Sequence, residues 1–157
     1  MVAALMCLPL MASPGYCVEV GEPIPDFGIR TLSGEVLSRT TLAGRPLLLV
    51  FWNTWSSDSR KELPLLNHLV EKFGQRGLTV LAINTGHKDS EHKAREFWKK
   101  HKFLFPAGYD KYLEIGASFG VRETPTVVLV DAWGIVRYKD PQLPKDMEAQ
   151  MNQLYSR

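Results

Sequence analysis

The sequence predicts an α/β fold: a central mixed sheet flanked by helices, with a β-hairpin ahead of it. Three observations carry that expectation. "LLLVFW" (47–52) and "LTVLAIN" (78–84) are continuous apolar runs, the mark of strands buried on both faces. Between them Leu63, Leu66, Val70 and Phe73 recur at helical spacing, so the pair reads as a strand–helix–strand crossover with parallel neighbours. Near the C-terminus, "TVVLVD" and "IVRYK" flank a short turn at Ala132–Gly134, which adds an antiparallel hairpin.

Each remaining element follows in order. Pro23 and Pro25 in "VGEPIPDF" mark an extended lead-in, because the residue before a proline is pushed out of the helical region. "FGIRTLSGEVLS" reads as a small hairpin turning at Ser33-Gly34, and "TTLAGRP" as a linker with a short turn of helix. The first helix ends at Gly74 or Gly77, and Pro64 inside its pattern either kinks it or lies near its first turns. "SEHKAREFWKKHK" is the second helix, with Ala94, Phe97, Trp98 and His101 on one face. "YLEIGASFG" is a short helix closed by Gly120, and "PKDMEAQMNQLY" a terminal helix with Met147, Met151 and Leu154 inward.

The 157 residues, 45% of them hydrophobic, suffice for one domain that buries about two thirds of its unfolded surface. A net charge of +2, with lysines interleaved among acids, excludes a nucleic-acid footprint. The two cysteines, Cys7 and Cys17, both precede the expected domain, 18–157, which therefore has no thiolate, internal disulfide or Cys ligand for zinc. Residues 1–17 read as a signal-like leader: Val2 to Ala12 is apolar but too short to span a bilayer, and small residues follow at Ser13 and Gly15. No Lys or Arg precedes Arg30, so the positive start of a signal peptide is missing. Export is the expected fate, with peripheral membrane association through this segment open.

The ordered set of motifs resembles the thioredoxin superfamily, and within it the exported thiol–disulfide oxidoreductases of the TlpA/ResA type. "VFWNTWSSDSRKELP" is similar to the active-site stretch of that group, "PIPDFGIRTLSGE" to its N-terminal hairpin, "VLAINTGHKD" to its second strand and following loop, and "FGVRETPTVVLVDAWGIV" to its cis-proline loop and closing hairpin. The resemblance runs from about Val18 to Gln153. It implies a thioredoxin-like fold, a place in the periplasm or on the outer face of the cytoplasmic membrane, and a polypeptide partner. It puts the family's two cysteines at Ser56 and Ser59, its buried strand acid at Val50, an active-site Glu at His87, and its cis-proline at Pro125.

Serine cannot form a mixed disulfide, so the chain as written cannot exchange disulfides through Ser56 and Ser59. Helix capping explains "SSDS" instead: Ser57 or Asp58 could cap the first turn, and Ser59 to Glu62 has capping-box spacing. A serine nucleophile is the alternative, with His87 as the base for Ser56, although no acid is evidently committed to orienting His87, Asp58 and Asp89 being the nearby ones, and no Gly-x-Ser-x-Gly elbow is present. His87 and His92, five apart, do not have zinc spacing, and no cofactor is expected.

The resemblance further implies that the backbone beside Pro125 receives an extended segment, offered by the N–H and C=O of Thr124. Trp55, Ser57, Asp58, His87, Thr124 and Pro125 are the candidate binding residues, and Trp52 is expected in the core. The leading expectation is a redox-inactive relative that binds polypeptide. The alternatives are a Ser-for-Cys form of an active oxidoreductase of the redox-homeostasis or cytochrome c maturation kind, and an interaction module using the sheet edge or the Trp98 face.

Overall fold

The computed structural model describes residues 17–155; the leader expected over 1–17 lies outside them except for Cys17. Seven strands and four helices occur in the order β1 (Gly28–Arg30), β2 (Val36–Ser38), β3 (Leu47–Trp52), α1 (Ser57–Phe73), β4 (Thr79–Asn84), α2 (Glu91–His101), β5 (Ala107–Tyr109), α3 (Glu114–Ser118), β6 (Thr126–Val130), β7 (Val136–Asp140) and α4 (Met147–Tyr155). β1 and β2 form the antiparallel hairpin, and the other strands form one sheet in the order β5-β4-β3-β6-β7. β4 runs parallel to β3 and β5, while β6 is antiparallel to β3 and β7. This is the thioredoxin-like mixed sheet.

β3 is central and wholly buried, so its side chains alternate between two apolar layers. Leu48, Val50 and Trp52 meet Leu63, Leu66 and Phe73 of α1, Ala94 of α2, and Met147 and Met151 of α4. Leu47, Leu49 and Phe51 meet Ile29 and Leu37 of the hairpin together with Phe119 after α3. Val50, where the family's buried acid would stand, is fully buried.

β5 departs from the sequence reading, and the 40–46 linker agrees with it. β5 was not expected; its three residues follow Pro106 and include Gly108, and only pairing of Ala82–Asn84 with Ala107–Tyr109 makes them a strand. The 40–46 linker forms turns, with one helix-like bond from Leu42 N to Ser38 O at 3.0 Å. Cys17 lies against the domain: its Sγ packs beside Gly120 and accepts from Lys139 Nζ at 3.4 Å.

Elsewhere, α1 ends with Gly74 as C-cap, and Gly77 (φ +95°) closes a single 3-10 turn after it. Pro64 sits inside α1 on its exposed side, so the carbonyl that loses its helical donor lies on the face turned away from the core. Trp98 is not an open face, since its ring meets those of Trp52 (5.2 Å), Phe103 (4.4 Å) and Phe105 (5.4 Å). Among the described residues no helix is long and apolar enough to cross a membrane.

Candidate functional site: a serine-capped corner and its cleft

β3 and β4 both end in Asn-Thr, Asn53-Thr54 after Trp52 and Asn84-Thr85 at the close of β4, with Trp52 in register with Asn84. Parallel strands in open sheets present their carboxyl ends to ligands, and α1 starts from this edge. Its N-cap is Ser56, in extended backbone, whose Oγ accepts from Ser59 N at 3.1 Å. The Ser56 hydroxyl donates its one proton to Thr124 O at 2.8 Å.

The cap therefore falls one residue before the Ser57 or Asp58 the sequence suggested, because Ser57 is already the first helical residue. The Ser59–Glu62 capping box does not form: Ser59 lies inside the first turn, and Glu62 Oε1 accepts from Leu143 N instead. Ser59 is fully buried, and among the described residues its Oγ has no hydrogen-bond partner. Ser57 and Asp58 are exposed on the first turn, Asp58 bridged to Lys61 at 3.1 Å.

The geometry removes the serine-nucleophile alternative. A nucleophilic hydroxyl must give its proton to a base, and Ser56 gives it to a carbonyl. The His87 ring is exposed, and no hydrogen bond among the described residues reaches it. What the site uses of His87 is its carbonyl, which accepts from Trp55 Nε1 at 3.0 Å and from Asn53 Nδ2 at 3.4 Å. Asp58 is committed to Lys61, and Asp89 to the backbone and side chains around it.

Asp89 accepts four bonds: from Thr54 N (2.7 Å), Thr54 Oγ1 (2.8 Å), Asn84 Nδ2 (2.9 Å) and Ser90 N (2.9 Å). Burial alone would raise its carboxyl, but the bonds from Asn84, Thr54 and Ser90 together outweigh that and hold it below the ordinary aspartate range. With Asp89 charged, Asn84 Nδ2 must point at it, so Asn84 Oδ1 faces Gly86 N (3.0 Å) and Asn53 Nδ2 (3.4 Å). Asn53 Oδ1 then accepts from Thr85 Oγ1 (2.9 Å) and Thr124 Oγ1 (3.1 Å). One polar chain thus ties the ends of β3 and β4 to the loop before β6.

Above this chain lies a cleft of about 330 Å³, floored by Asn53, Thr85 and Thr124 and walled by Trp55, Leu113 and Val121. Its rim carries His87, Arg122 and Glu123. Trp55 is 52% exposed, held by its bond to His87, whereas Trp52 is wholly buried. The Thr124–Pro125 peptide is cis and Pro125 is buried. Thr124 O already accepts from Ser56, while among the described residues Thr124 N–H donates to nothing.

The structure thus gathers Trp55, His87 and Thr124 around one cleft, with Pro125 directly behind Thr124, and leaves Ser57 and Asp58 on the helix turn beside it. The sequence reading did not single out Asn53, Thr85 or the anchoring role of Asp89. The signal that could have found them is the repeated Asn-Thr at the ends of two buried strands.

Residues 20–139 match the AhpC/TSA family. The chain is 32% identical over 138 residues to the thioredoxin-like protein YneN of Bacillus subtilis, covering 86% of this chain and 80% of that one. It is 30% identical over 139 residues to the thiol-disulfide oxidoreductase ResA of Bacillus cereus, covering 87% and 79%. In fold it resembles the crystal structure of the thioredoxin domain of a Bacteroides vulgatus thiol-disulfide oxidoreductase, with a TM-score of 0.76, 22% identity, and 87% and 97% of the two chains covered.

Proposed function

The chain belongs to the AhpC/TSA family, as a ResA-like thioredoxin domain with serines in place of the active-site cysteine pair, and we propose that it binds an extended polypeptide beside the Thr124–Pro125 turn. Without that pair the domain has no redox couple: exchange requires a sulfur that alternates between thiolate and disulfide, and an alcohol cannot replace it. The observation that carries the binding reading is the Thr124 N–H at the rim of the cleft, which has no partner among the described residues. An extended chain laid along the turn satisfies that donor, as a strand added to a sheet edge does. Ser56 occupies one lone pair of Thr124 O and leaves the other for the same ligand. Trp55 supplies an apolar wall, and His87, Ser57 and Asp58 complete the contact face.

The same reading places the protein outside the cytoplasmic membrane, supported by the apolar run from Val2 to Ala12, which also offers a peripheral membrane contact.

Two measurements test the proposal. Purified protein should show no thiol-dependent reduction of a small disulfide, and measurable turnover would overturn the redox-inactive assignment. In a titration with an extended cysteine-bearing peptide, the amide signal of Thr124 and the indole signal of Trp55 should shift together. Saturating peptide with both signals unmoved removes the groove.

A further inference from the structure

The cleft floor has a fixed hydrogen-bond polarity, and that polarity names a ligand class. The Asp89 carboxylate only accepts, so Asn84 turns its Nδ2 toward it (2.9 Å) and its Oδ1 toward Asn53. Asn53 then has no freedom. Its Nδ2 faces two acceptors, Asn84 Oδ1 and His87 O, and the flipped amide would set oxygen against oxygen at both. Asn53 Oδ1 is therefore the atom that meets Thr85 Oγ1 and Thr124 Oγ1, and both hydroxyls must donate to it.

A hydroxyl has one proton. With both protons turned down onto Asn53, and one Thr85 lone pair accepting from His87 N at 3.4 Å, the two hydroxyls have only lone pairs left to present to the cleft they line. Neither Asn53 Nδ2 proton remains free either. The floor accepts and does not donate, while Trp55, Leu113 and Val121 make the walls apolar.

Resting on the polypeptide-binding reading and extending it, we propose that this cleft takes an aromatic side chain ending in an O–H or N–H donor, the tyrosine class, and rejects a carboxylate at the same depth. A volume of about 330 Å³ accommodates one such ring with its linking atoms. A carboxylate tip at that depth would bring a third set of lone pairs against those of Thr85 and Thr124, while the donors the cleft does offer, Thr124 N–H and the Arg122 guanidinium, belong to its rim. A plain phenyl ring would fit the walls and leave the floor unpaired, at the cost that an unmet polar group carries.

Three probes on one tolyl frame decide it: p-cresol, toluene and p-toluate, each titrated into the wild-type protein at neutral pH and followed by the amide signals of Thr85 and Thr124 and the Trp55 indole. The expected order is p-cresol tightest, toluene weaker by about five- to tenfold, as one hydrogen bond gives, and p-toluate weaker still. In Thr85→Val the preference of p-cresol over toluene should fall to less than about twofold, and Thr85→Ser should restore it. Equal affinity for p-cresol and toluene, or tighter binding of p-toluate, overturns the proposal. The wild-type series needs no variant to fold. A cysteine-bearing peptide with alanine in place of any aromatic separates this inference from the groove: if it binds while the probes show no preference, the groove stands and the donor class falls. If p-cresol is preferred and no peptide binds, the donor class stands and the groove falls.

Discussion

Ser56 and Ser59 are the same residue type three positions apart, yet replacing each with alanine should move stability in opposite directions. Ser56→Ala removes the acceptor of Ser59 N and the donor to Thr124 O. A lost N-cap costs about 1 kcal/mol, and a lost buried hydrogen bond about another 1 kcal/mol. The variant should therefore be less stable by about 2 kcal/mol. Ser59→Ala deletes a fully buried hydroxyl that has no partner among the described residues. Relief of that desolvation is worth about 1 kcal/mol or more, alanine's helix propensity adds about 0.5 kcal/mol, and the small void left behind takes back a few tenths. The net is a gain of about 1 kcal/mol. For a domain of this size, about 3 °C accompanies each kcal/mol at the midpoint, so thermal unfolding should show Ser56→Ala about 6 °C lower and Ser59→Ala about 3 °C higher. Urea titrations give the same comparison as free energies at constant slope. The reasoning fails if Ser59→Ala is destabilised by 1 kcal/mol or more, which would mean its hydroxyl has a partner, or if Ser56→Ala is neutral.

Asp89→Asn should destabilise the fold at pH 7 by about 2 kcal/mol, since a charged acceptor of four bonds becomes neutral. Because the native carboxyl sits below its ordinary value, its contribution is complete above the unfolded value near 3.9 and is lost as pH falls through the lowered one; urea unfolding from pH 7 to pH 3 should show the gap between wild type and variant closing at the acid end. Gly86→Ala should cost about 2 kcal/mol or more, because Gly86 has φ +73° and an added Cβ would meet Asp110 O at 2.5 Å; a midpoint within 2 °C of wild type would contradict this. Ser56→Cys with Ser59→Cys should form an intramolecular disulfide, read as a loss of two hydrogens by mass after mild oxidation, and should gain reduction of a small disulfide; failure of the bridge would show that the α1 corner no longer positions the pair.

Much of the architecture was legible because it rests on local rules. Strands β3 and β4 are continuous apolar runs that no surface position would tolerate, and α1 shows its buried stripe in Leu63, Leu66 and Phe73. β5 was not legible: three residues around a glycine carry no periodicity, and a strand at a sheet edge exists only through its neighbour. At the site, the structure lines one cleft with Trp55, His87 and Thr124, and the hydrogen bonds there use the backbone carbonyl of His87 rather than its ring. Which of three serines and an aspartate caps α1 was also beyond local rules, since both residue types suit the position.

By itself, then, the sequence determined the fold class and the loss of exchange chemistry, because burial patterns and the elements present at Ser56 and Ser59 do not depend on geometry. Only the tertiary structure decided that Ser56 is spent on Ser59 N and Thr124 O while the Ser59 hydroxyl has no partner among the described residues. It also decided that Asp89, through Asn84 and Asn53, turns two threonine protons away from the cleft. The reason is that a hydrogen bond's direction is set by what stands on its far side, and the partners of Asn53 and of the Ser56 hydroxyl lie about thirty to seventy residues away along the chain.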